Sequence, residues 1–170
     1  MTDFAELLSG GHPNSLGRTD EAVAAALADE RRIADLFDTL ASGDPTARMR
    51  AGDALEKVAR ERPEAFAPHV ERVLGEMARI EQPSVQWHVA QLLTEIPLSP
   101  SQRRRGIAWL WRTWERSDDW IVISETLTAL AYFAQTSPTV RKRLPDALRK
   151  TQQDTRKAVA RRATKLLESL

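Results

Sequence analysis

The sequence contains no cysteine, which removes disulfide bridges, thiolate metal sites and thiol nucleophiles together. Histidine is scarce too. Only His12, His69 and His88 occur, none three or four residues from another, so the imidazole pair that holds zinc on one helix turn is missing. No apolar run approaches the roughly 20 residues of a bilayer crossing. The opening residues, Met1-Thr2-Asp3-Phe4-Ala5-Glu6, lack the basic stretch and apolar core of a secretory leader. There is no Gly-Lys-Ser or Gly-Lys-Thr phosphate loop and no nucleophile elbow, and no carboxylate pair is singled out by spacing. The expectation is a soluble cytoplasmic protein that is not an enzyme, needs no metal or cofactor, and does not enter a membrane.

What remains is ordinary for a globular chain: 170 residues, 42% hydrophobic and 29% charged, which fits one domain rather than a disordered or fibrous segment. The net charge of +1 hides a split. Residues 1–85 carry 10 Lys+Arg against 16 Asp+Glu, and residues 86–170 carry 15 against 8, so the halves stand at −6 and +7. Such an asymmetry bears on association and steering rather than on fold. It suggests either head-to-tail contact between molecules or a basic surface that meets an anionic partner.

A helical stripe, apolar at i, i+3, i+4 and i+7, occurs at Ile33, Leu36, Phe37 and Leu40. At steps of 37 residues it returns as Val70, Val73, Leu74 and Met77, then Ile107, Leu110, Trp111 and Trp114, then Leu144, Ala147, Leu148 and Thr151. A second stripe runs Ala47, Ala51, Ala54, Leu55 and Val58. After 38 residues it reads Val85, Val89, Leu92, Leu93 and Ile96, and after steps of 37 it reads Val122, Thr126, Ala129, Leu130 and Phe133, then Val159, Ala163, Leu166, Leu167 and Leu170. At 3.6 residues per turn each set falls on one side of a helix. Breakers lie between them: Ser42-Gly43-Asp44-Pro45, Gln82-Pro83-Ser84, Ser117-Asp118-Asp119 and Gln153-Asp154. Pro68 and Pro145 are expected near the starts of two first-stripe helices, where a missing N–H costs little. The reading is all-α, with four two-helix units at about 30–61, 64–98, 100–136 and 138–170 behind a helical cap at 1–29. Trp120, Ile121, Val122 and Ile123 open a helix apolar on nearly every side, as expected of an element enclosed by neighbours.

Asp44-Pro45-Thr46-Ala47-Arg48, followed by Ala51, Ala54 and Leu55, resembles the second-helix signature of the HEAT/armadillo superfamily of helical repeats, and Leu-Pro-Asp-Ala-Leu at 144–148 resembles its first-helix signature. Later units depart from it: Gln86 and Ile123 stand in place of the arginine, and Trp120 in place of the proline. The resemblance implies a right-handed α-α superhelix, a HEAT-like solenoid, and a shape rather than an activity. It also implies that the first-stripe helices line the concave side.

The third unit is the richest in chemistry. Arg105, Trp109, Arg112 and Arg116 fall at i, i+4, i+7 and i+11, a stripe apart from the apolar one on the same helix. An indole among guanidiniums suits phosphate or carboxylate with a flat group to stack on. Neighbouring units place Arg72 and Arg79, then Lys142 and Arg149, at equivalent positions. These eight residues form the expected binding strip. It favours a non-catalytic scaffold that binds a partner protein or acidic peptide. The alternative is a nucleic-acid binder resembling in shape the HEAT-like DNA alkylation-repair glycosylases, although no catalytic aspartate motif can be matched and +1 is modest for that role. An enzyme built on the 9–17 loop, with His12, Asn14 and Ser15, ranks last.

Overall fold

The computed structural model describes residues 3–12 and 15–170, and among these every regular element is a helix or a 3-10 turn. They are α1 Phe4–Leu8, α2 Thr19–Ala28, α3 Ile33–Thr39, α4 Pro45–Glu61, α5 Val70–Gly75, α6 Pro83–Glu95, α7 Pro100–Arg116, α8 Trp120–Ala134, α9 Pro138–Thr151 and α10 Lys157–Glu168. The 3-10 stretches Glu30–Arg32, Pro63–His69 and Met77–Arg79 flank α3 and α5. The chain forms two compact units, one up to Ser99 and one from Pro100 to Leu170.

Helix starts follow local chemistry. Asp44 accepts a hydrogen bond from the Thr46 N–H at 2.8 Å with Pro45 at the first helical position, and Asp119 accepts from Ile121 and Val122 at 2.9 and 3.0 Å. These caps satisfy orphan donors of the first turn. The second-stripe helices begin at residues 45, 83, 120 and 157, so the helix starts keep the period of the sequence.

The same interval returns in contacts inside each unit. In the first, Gln82 Nε2 donates to the Pro45 carbonyl at 2.8 Å, and Arg72 donates to the Ala34 carbonyl at 3.2 Å. In the second, Trp114 Nε1 donates to Thr151 Oγ1 at 3.2 Å, and Arg156 donates to the Asp118 carbonyl. Each pair lies 37 or 38 residues apart. The second-stripe side chains of α4, α6 and α8 are buried to the last member, from Ala47 through Phe133. Thr126, the one hydroxyl among them, donates to the Val122 carbonyl of its own helix at 2.8 Å.

Two expectations need adjustment. Pro68 lies just ahead of α5, but Pro145 sits inside α9, because Ser137 and Pro138 start that helix a full seven residues earlier. The helix opening at Trp120 is not enclosed, since Trp120 is 50% exposed and Tyr132 49%. At the N-terminal end α1 and α2 carry the two stripes in shortened form. Phe4, Leu7 and Leu8 on α1 match Ile33, Leu36 and Phe37 at a step of 29, and Thr19, Ala22, Val23 and Ala26 on α2 match Ala51, Ala54, Leu55 and Val58 at a step of 32.

The loop joining α1 to α2 is organised by one residue of α4. Arg50 is 2% exposed. Its guanidinium donates to the carbonyls of Leu8 at 2.8 Å, Gly10 at 2.7 Å, His12 at 3.2 Å and Ser15 at 2.9 Å. Gly17 has φ +54°, and a Cβ there would stand 2.8 Å from the Arg50 Cζ, so both backbone sign and space require glycine. The loop's carbonyls are thus committed inward as structure; Asn14 lies outside the described residues. Replacing Arg50 with Met leaves the four carbonyls without their donor and is expected to cost about 3 kcal/mol. Urea denaturation will register that loss, and protease cleavage should appear first between residues 9 and 18.

Candidate functional site

The eight strip residues divide between the two units. On α5, Arg72 is already engaged: its guanidinium meets Asp38 at 2.7 Å and Glu76 at 2.8 Å, and lies 5.0 Å from the centre of the Phe37 ring. Arg79 is exposed in the turn that follows α5. In the second unit, Arg105, Arg112 and Arg116 are exposed on α7, and Lys142 and Arg149 on α9. Arg149 pairs with Asp146 at 2.8 Å. Among the described residues no carboxylate pairs with Arg112, Arg116 or Lys142.

Trp109 is not the exposed platform expected of it. It is 8% exposed and belongs to a second buried stripe of α7 with Gly106 and Thr113. Those small neighbours at i−3 and i+4 are the signal in the sequence, because they make room for an indole beside a packed surface. The indoles that meet cations are Trp111 and Trp114, both assigned to the core face. Arg143 of α9 lies 4.0 Å from the Trp111 ring centre and also pairs with Glu115, and Lys150 lies 5.6 Å from the Trp114 ring. Cation–π contact joins the two helices across this seam.

The strip is also not on the tighter row. Within the first unit α2, α4 and α6 pack backbone to backbone, and within the second α8 and α10 do so. α7 and α9 meet mainly through the long side chains just named. Within the second unit the strip therefore lies on the more widely spaced pair of helices, α7 and α9. Its field is nonetheless strong. Residues 100–170 hold fifteen Lys+Arg against seven Asp+Glu, a net of +8, and residues 1–99 stand at −7.

Sequence reasoning missed a polar cluster between α4 and α6. Asp53, Glu56, Lys57 and Arg60 occupy one flank of α4; His88, Gln91 and Glu95 face them from α6. The approach depends on Gly52, where a Cβ would stand 3.0 Å from the His88 ring. His88 is 6% exposed and its Nδ1–H donates to Gln91 Oε1 at 3.0 Å. Arg60 pairs with Glu56 and lies 3.6 Å from Glu95, so one guanidinium serves two carboxylates. Lys57 meets Asp53 and Asp20, each at 3.0 Å. Glu95 Oε2 is buried without a hydrogen bond, whereas Asp53 Oδ2 is the oxygen that Lys57 meets. The charges recur at i, i+3, i+4 and i+7 beside the core stripe, a pattern indistinguishable in sequence from a solvated flank.

Burial, then the neighbouring Glu56 carboxylate, pushes the Glu95 carboxyl up to about 7, against the pull of Arg60. Burial pushes His88 down, opposed by Asp53. His69, stacked on Phe37, is likewise held down by burial and by Arg72. Among the described residues no cluster of three or more His, Asp or Glu side chains is arranged to hold a metal ion. No helix is long and apolar enough to cross a membrane. Protein-family models, curated proteins and solved structures yield no match to this chain.

The cluster makes stability depend on pH with a defined sign. Folded Glu95 holds its proton up to about 7, whereas the unfolded chain releases it near 4.5. Its contribution is therefore full below the unfolded value and is lost as pH rises through 7. Replacing Glu95 with Gln should leave a variant more stable than the parent at pH 8, with the gap closing towards pH 5 in thermal melts. His88, held down, produces the opposite trend, losing stability as pH falls below its ordinary range.

Proposed function

We propose that this chain is a non-catalytic interaction scaffold whose arginine-rich face on α7 and α9 binds an acidic segment of a partner protein. In this reading its hairpins continue one another as a right-handed HEAT-like solenoid. The period of 37 to 38 residues supports that continuity, because both stripes cross the boundary at Ser99 and Pro100 at a step of 37. A repeat of this kind presents a long side-chain surface rather than an enclosed catalytic pocket.

The observation that carries the binding proposal is the state of the cations. Arg72 and Arg149 are engaged in ion pairs, whereas Arg112 and Arg116 are exposed and carry no carboxylate partner among the described residues. Guanidiniums seven and eleven residues after Arg105 lie about 10 Å and 16 Å further along the axis at 1.5 Å per residue, so they form a line rather than a point. Arginine forks favour carboxylate in two-pronged pairing. Trp109 drops out of the contact set, and the wall that supports the line is the Trp111 and Trp114 seam.

The test is a titration with a fluorescent oligoglutamate peptide, beside labelled duplex and single-stranded DNA, at low and high salt. Binding of the peptide, weakened at least tenfold in Arg112→Glu/Arg116→Glu with circular dichroism unchanged, is the expected result. Binding of DNA alone, with a steep fall in salt, would transfer the face to phosphate recognition. No binding of either probe overturns the reading.

A further inference from the structure

Two aromatic rings of the second unit are left out of its core. On α8, Trp120 and Tyr132 are each about half exposed. Tyr132 helps to wall a cleft of about 660 Å³ between the last turns of α8 and α10. The lining is mixed in chemistry: Tyr132, Leu166 and Leu170 offer apolar surface, whereas Thr128, Gln135 and Ser169 offer polar atoms. Trp120 precedes Thr128 and Ala131 of that cleft by eight and eleven residues, which puts it on the same side of α8 two and three turns nearer its start. Cations lead into the cleft along α10. Arg161, Lys165 and Ser169 follow one another at intervals of four, as do Arg162, Leu166 and Leu170, so two adjacent rows run to the cleft wall. Arg161, Arg162 and Lys165 are exposed and pair with no carboxylate among the described residues. Arg141 of α9 completes the lining. Its Nε and Nη2 donate to the Ala134 and Gln135 carbonyls at 3.0 and 2.7 Å, which fixes the guanidinium and leaves Nη1 for a ligand.

Each part of this surface answers to a part of an unpaired nucleic-acid strand. A nucleobase has an apolar face and a polar edge, so a cleft of mixed lining suits it better than it suits a lipid tail. Exposed aromatic rings stack on bases of any sequence, and rows of unpaired cations neutralise successive phosphates. A duplex hides its base faces within its own stack, and an acidic peptide brings no flat group for either ring. We propose that the α8–α10 face of the second unit binds single-stranded nucleic acid. One base lies against Tyr132 in the cleft and another on Trp120, while the backbone runs along Arg161, Arg162 and Lys165. Arg141 holds the phosphate beside the base in the cleft. The face shares no residue with the α7 and α9 strip, so neither proposal rests on the other.

Fluorescence anisotropy of short labelled oligo(dA) and oligo(rA) tests this on the whole chain, beside a duplex and an abasic strand that keeps the phosphates without the bases. The expected result is tighter binding of the strands with bases than of the abasic strand or the duplex. A difference between the two sugars would show whether the 2′-hydroxyl is read. About three phosphate contacts make affinity fall roughly tenfold or more between about 50 and 200 mM salt. Arg162→Ala/Lys165→Ala should weaken every strand and flatten that salt dependence. Tyr132→Ala should cost about fivefold or more on strands with bases and nothing on the abasic strand, while Tyr132→Phe binds as the parent does. All these positions are exposed, and circular dichroism should not change. Absence of binding at low salt overturns the proposal, as does equal affinity for the abasic strand, an unaffected Tyr132→Ala, or a preference for duplex or for phosphatidylserine vesicles. Arg112→Ala/Arg116→Ala should bind the strand as the parent does; loss of binding there would assign the strand to the α7 strip and overturn the proposal for this face.

Discussion

A two-helix hairpin standing alone leaves one side of its apolar stripes in water, and covering that side is the constraint every element of this chain answers to. Within each unit the cover comes from a hairpin 37 or 38 residues further along the chain. The hydrogen bonds from Gln82 to Pro45, Arg72 to Ala34, Trp114 to Thr151 and Arg156 to Asp118 keep the interval that the stripes set. Stripe and polar contact are two expressions of one register. A slip by a residue would turn the stripe off its partner and break the side-chain-to-carbonyl bonds together.

The beginning of the row meets the constraint by other means. α1 and α2 are too short to present full stripes. Arg50 supplies order by offering a buried guanidinium to the last carbonyl of α1, at Leu8, and to the loop carbonyls of Gly10, His12 and Ser15. A charge held this way is costly to bury and costlier to orphan, which makes it specify one loop path. The glycines that looked like turn residues have a second reason to be glycine at Gly17, where the arginine itself fills the space of a Cβ.

Burial was the legible part of the sequence, because an apolar stripe has a period and a period survives translation into three dimensions. Helix starts were legible where an aspartate or serine precedes a proline, as at Asp44 and Ser137. What resisted reading were residues with two compatible environments. Trp109 shares a helix face with three arginines and equally with Gly106 and Thr113, and only packing decides between them. Pro145 looks like a helix opener and is a helix interior. Trp120 looks like core, yet it is half exposed.

The charged residues divide along the same line. Between α4 and α6 a guanidinium bridges two carboxylates and a histidine is held in its neutral form, so charge is folded inward and proton affinity becomes part of stability. On α7 and α10 the exposed Arg112, Arg116, Arg161, Arg162 and Lys165 carry no carboxylate partner among the described residues, whereas Arg143 and Arg149 of α9 are paired. Inward charge is already balanced, and its effect is local and sensitive to pH. Outward charge of one sign remains unbalanced until something else approaches, and its effect is sensitive to salt. The opposite net charges of the two units therefore describe two kinds of work within one repeat: the first unit spends part of its polar residues on its own cohesion, and the second keeps most of its cations available for contact.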